Sequence, residues 1–179
     1  MADFEFFKKQ FEFRGKHAKM VSELSVLNDY EHTIFKRAVD VYVFAAIIGI
    51  RIDRKASEDY SPVETKKVFP EQMINAKEDL DFIMQMMIML DDNPDKTDEE
   101  KVREAFKGAQ IKEEYDQLIK KFNDYVRGGV EELYERLIIR KPGSEDGFYD
   151  ERVANLMALY DRFAPKDEDE TLKYVDNLI

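Results

Sequence analysis

Apolar residues recur along most of this chain at intervals of three and four, the period of one face of an α-helix. Met20, Val21, Leu24 and Leu27 place a helix over roughly 15–27. Asn28 and Asp29 supply cap chemistry for a second, roughly 29–51, which contains the apolar run VYVFAAIIGI. The polar stretch ASEDYSPVETKKVF holds Pro62 and reads as a loop, with a minor extended element near 61–69. Pro70 suits the first turn of a helix over roughly 70–90, with Leu80, Ile83, Met84, Met87 and Leu90 on one stripe. Thr97 and Glu100 form a capping box ahead of Val102 and Phe106. The pattern restarts after Gly108 and runs through Tyr115, Leu118, Ile119, Phe122 and Val126.

Gly128-Gly129 then reads as a helix break, where one glycine takes a positive φ or permits close packing, before VEELYERLI resumes. After the turn-rich KPGSEDG, a last helix over roughly 148–163 carries Val153, Leu156, Met157 and Tyr160. The expected fold is all-α: a single-domain helical bundle of five to seven helices over 1–164. Residues 165–179 are expected to be an acidic C-terminal tail or a short docked helix.

Composition narrows the classes. At 179 residues the chain is long enough to bury a core without staples, and 37% of it is charged. The absence of cysteine removes disulfides, thiolate metal sites and cysteine nucleophiles, and suits a cytoplasmic location. MADFEFFKKQFEF mixes acids with its aromatics and does not read as a secretory signal. The uncharged run Val41–Ile50 is half the roughly 20 residues that a spanning helix needs, so no membrane span is expected. A net charge of −11 argues against broad DNA binding, leaving only a local basic patch.

Most candidate chemistry fails on spacing. DDNPDKTDEE places Asp91, Asn93 and Asp95 as a calcium loop would, but Lys96 replaces the turn glycine and Val102 the bidentate glutamate. Asp29 and His32 share a helix face without the second such pair that a di-metal bundle needs. Glu64–Lys66 offers a Glu-x-Lys with Asp53 or Asp40 as the further acid, the outline of a metal-dependent nuclease, but lacks flanking apolar strands. No nucleophile elbow or phosphate-cradling glycine loop is present. No catalytic residue, metal or cofactor is therefore expected. The eight methionines read as fillers of an irregular core. What remains is a cationic cluster: Arg51, Arg54 and Lys55 at i, i+3 and i+4 on the end of the second helix, with Arg14 and Lys19 as further members of a partner- or phosphate-binding site. The same cations also complement the negative end of the helix dipole.

Two stretches resemble a family of small bacterial proteins associated with DNA phosphorothioation (Dnd-type) gene clusters: IFKRAVDVYVFAAIIGIRIDRK and YDQLIKKFNDYVRGGVEELYERL. The matching positions are Phe35, Asp40, Ala45, Gly49, Arg54, Lys55, Tyr125, Gly128 and Gly129, and the likeness covers about a third of the chain. The resemblance implies a context, bacterial DNA modification and anti-phage defence, rather than a reaction. The expected function is thus a non-enzymatic accessory protein that contacts a protein partner of such a complex. One alternative is an acidic DNA mimic, using Asp91, Asp92, Asp95, Asp98, Glu99 and Glu100 with Asp167–Glu170, and the other is the nuclease outlined above.

Overall fold

The computed structural model describes residues 5–25, 33–61, 64–143 and 150–164. It is mostly helical, with seven α-helices and a two-stranded sheet among those residues. Strand β1 (Phe11–Arg14) runs antiparallel to β2 (Thr65–Val68), with Phe11 opposite Val68 and Phe13 opposite Lys66. Only β2 matches an expected element, since it falls within 61–69. The alternation of Phe11 and Phe13 is the pattern that β1 uses to place Phe13 in the core.

Helix α1 (Gly15–Leu24) starts directly from β1. Helix α2 (Ala38–Arg51) begins well after the expected residue 29. Phe35 instead donates its amide to the Leu24 carbonyl, and Arg37 is extended at φ −141°, so the chain is tied to the C-terminal end of α1 before the helix forms. The Asn28–Asp29 cap lies outside the described residues. The expected helix 70–90 is two helices, α3 (Pro70–Asn75) and α4 (Lys77–Met89), hinged at Ala76. Helix α5 (Asp98–Lys107) opens with the Thr97–Glu100 capping box, the Glu100 amide donating to Thr97 Oγ1 at 3.3 Å.

Helix α6 (Lys112–Tyr134) runs unbroken through Gly128 and Gly129 and ends in a π-helical turn, Glu135–Ile139. Of the two readings of the glycine pair, close packing is the one realised. A Cβ on Gly129 would enter the Ala45 carbonyl, one on Gly128 the Arg54 carbonyl, and one on Gly49 the Tyr125 carbonyl. Missing side chains on both helices let α2 and α6 press backbone to backbone and form the central pair of the fold. Around it the core gathers Phe13, Leu24, Tyr42, Leu80, Met87, Phe122 and Leu133. The Tyr42 hydroxyl is satisfied by donating to Asn123 Oδ1 at 2.7 Å.

Helix α7 (Glu151–Phe163) packs against the π turn. It buries Ala154 and Asn155, and the Asn155 amide donates to the carbonyls of Leu137 and Arg140. The tail 165–179 lies outside the described residues. No helix among the described residues is long and apolar enough to cross a membrane.

Candidate functional site

The cationic cluster is taken apart by the way α2 ends. Asp53 adopts a left-handed conformation at φ 49°, its amide donating to Ile50 O and that of Arg54 to Gly49 O. This Schellman motif closes the helix at Arg51, so Arg54 and Lys55 lie beyond it and do not share a helical face with Arg51. The chain turns, and the three cations diverge.

Arg51 turns toward α7, donating to the Phe163 carbonyl at 3.1 Å with its guanidinium 5.2 Å from the Phe163 ring centre. Lys55 lies over the Tyr125 ring at 4.6 Å and pairs with Asp53 at 3.3 Å. The Tyr125 hydroxyl donates to Asp53 Oδ1 at 2.8 Å. That bond, with Lys55 nearby, holds the Asp53 carboxyl below the usual carboxylate range.

Arg54 enters a nest of carboxylates on α6 and the π turn. Its guanidinium donates to Glu131 at 3.1 Å, Glu132 at 3.0 Å and Glu135 at 2.7 and 2.9 Å. Glu131 also receives Lys16 at 2.7 Å and His17 Nε2 at 3.1 Å, both from α1. Glu132 further receives Arg136 at 3.0 Å and Arg162 of α7 at 3.6 Å. Burial pushes the Glu131 carboxyl up, but the bonds from Lys16 and His17 bring it below the ordinary value. The knot ties α1, the exit of α2, α6 and α7 together, and it satisfies Arg54 from within the fold.

His17 is fully buried. Because a carboxylate only accepts, Nε2 carries the proton given to Glu131, and Nδ1 is buried with no hydrogen-bond partner among the described residues. Burial lowers its pKa, against the pull of Glu131.

Of the other two cluster members, Arg14 pairs with Glu12 at 3.0 Å and Glu58 at 3.6 Å, and exposed Lys19 reaches Glu23 at 4.0 Å. Arg51 and Lys55 share a cavity, a cleft of about 470 Å³ between α2, α4 and α6 floored by Ile47, Ile50, Met86, Met87 and Leu90 and bordered by Asp53, Asp91 and Asp92. The positions that carry the family resemblance converge on the α2–α6 contact, except Phe35 and Asp40. Those two stand near the start of α2, where Phe35 packs on Phe44 and Asp40 pairs with Arg37.

Asp29 and His32 lie outside the described residues. Glu64 has a small sheet beside it, but no group of three histidine, aspartate or glutamate side chains suited to a metal comes together among the described residues. In the acidic run, Asp91 pairs with Lys121 and Asp98 with Lys101, while Lys96 between them pairs with Glu104 of α5. Asp167–Glu170 lie outside the described residues.

Sequence reasoning missed the carboxylate nest. Glu131 and Glu135 stand at i and i+4, a spacing visible in VEELYER, but their cation comes from 77 and 81 residues away. The apolar stripe read on the last helix lies at the surface of α7: Val153 (42% exposed), Leu156 (42%), Met157 (40%) and Tyr160 (64%) all face outward.

Fold and site together define a helical domain built on a glycine-packed helix pair and closed by an ionic knot. Comparison with family models, with curated proteins and with solved structures gave no match.

Proposed function

We propose that the chain is a non-enzymatic accessory protein of a bacterial DNA-modification or anti-phage defence system and acts by protein–protein contact. The observation that carries the contact reading is the outward stripe of α7. Four apolar side chains at i, i+3, i+4 and i+7 make the arrangement by which one helix packs on another, and here no described element covers it. Exposed Ile138 and Ile139 of the π turn add apolar surface next to α7 in the chain. Clustered exposure of this kind marks interaction surfaces, whereas scattered apolar residues do not. The defence context rests on the family resemblance of α2 and α6.

The test is reconstitution with the purified components of a phosphorothioation system, using the double variant Leu156→Glu/Met157→Glu. Two charges on the stripe should weaken binding at least about 100-fold, the scale of losing a central interface anchor. Helix content by circular dichroism should not change, because neither side chain is buried. Full binding by the double variant would remove α7 from the interface. Binding to none of those components would remove the defence context.

A further inference from the structure

We infer that the cleft between β2 and the start of α2 is a binding site for a nucleoside monophosphate. It holds about 390 Å³ and is lined by Arg37, Lys66, Lys67, Thr65, Phe69 and Gln72, with the first residue of α2, Ala38, in its wall. That volume lies at the small end of the roughly 300–1,000 Å³ typical of small-molecule sites.

In a chain of net charge −11, three cations line this one cleft, and none of its described lining residues is a carboxylate. The acids in reach belong to neighbouring positions. Asp40 grips Arg37 through two hydrogen bonds of 2.6 and 3.2 Å, and Glu12 stands 3.8 Å from Lys67. Lys66 is half-buried and has no acid partner among the described residues. An ammonium without a counter-ion is free to pair with a bound anion.

Two further features agree. The N-terminus of α2 carries no side-chain cap hydrogen bond, and its first residue, Ala38, lines the cleft, with Asp40 the one acid of its first turn. Gln72 spends its side-chain oxygen on the Phe69 amide at 3.1 Å, which leaves its NH₂ group to donate, and exposed Thr65 lines the same cleft. Three cations around one cleft favour a phosphoryl group, which carries up to two negative charges, over a singly charged carboxylate. The exposed Phe69 ring (52%) supplies a face on which a nucleobase stacks. Phosphate at the cations with a flat ring at Phe69 is the chemistry of a nucleotide.

Isothermal titration of the full chain with adenosine monophosphate, inorganic phosphate, adenosine and a short single-stranded oligonucleotide tests this. The monophosphate should bind more tightly than phosphate, and adenosine alone should not bind. Lys66→Gln should weaken the monophosphate about tenfold or more, the loss of one charge-assisted hydrogen bond, and Lys19→Gln should leave it unchanged. Phe69→Leu should bring the monophosphate down to the affinity of phosphate. No binding, or binding indifferent to Lys66→Gln, overturns the site. Equal affinity for phosphate and monophosphate overturns the nucleotide. Binding of the oligonucleotide without the monophosphate overturns the mononucleotide assignment in favour of a single strand.

Discussion

At the scale of single residues, His17 is where acidity should act on this fold. Burial holds its folded pKa below the ordinary value of 6.5, and Glu131 only partly restores it. The unfolded chain therefore binds the proton more readily, so stability is full above pH 6.5 and is lost as pH falls from there through the lowered folded value. The lowered carboxyls of Glu131 and Glu135 act in the same direction but further down, below about 4.5. Urea midpoints measured between pH 7 and 5 should fall with acidification, and His17→Gln should flatten that slope. An equal slope in His17→Gln would place its origin elsewhere, with His32→Gln as the companion measurement.

At the scale of elements, the α2–α6 pair makes opposing demands on Gly129. Alanine is favoured over glycine inside a helix by about 1 kcal/mol. Its Cβ, however, would enter the Ala45 carbonyl, and backbone gives way less easily than a side chain. Overpacking of this kind costs about 1–3 kcal/mol, and between two backbones the upper figure applies. Gly129→Ala should therefore lose about 2 kcal/mol net in chemical denaturation. Gly108→Ala pairs with it as a contrast of cause: no atom stands near its Cβ, and its cost comes from φ 68° alone. A neutral or stabilising Gly129→Ala would mean that the two helices separate at little cost.

At the scale of the whole molecule, stability should be graded outward from that pair. Helix α6 buries a run from Tyr125 to Val130, whereas α5 buries only Ala105 and α7 only Ala154 and Asn155. Elements with few buried contacts open locally at low free energy. Amide hydrogen exchange should find α2 and α6 slowest and α5 and α7 fastest, with α7 slowing when its outward stripe is covered. Uniform exchange across all helices would contradict that gradient.

The sequence by itself determined the helical class, the Thr97–Glu100 cap, the approximate extent of α5 and α7, and the shortness of the apolar run in α2. These depend on local periodicity and on side chains bonding to their own backbone, so neighbouring residues are enough to read them. Tertiary structure alone decided that Gly128-Gly129 continues a helix, because the reason is the Ala45 and Arg54 backbone packed against it. It likewise decided that the expected cationic face does not form, because a left-handed Asp53 turns Arg54 toward three glutamates far along the chain. The apolar stripe of α7 was legible as a stripe, but a helical period records only that two faces differ. Which face meets the core is set by what packs beside it, and for α7 that left the apolar side open.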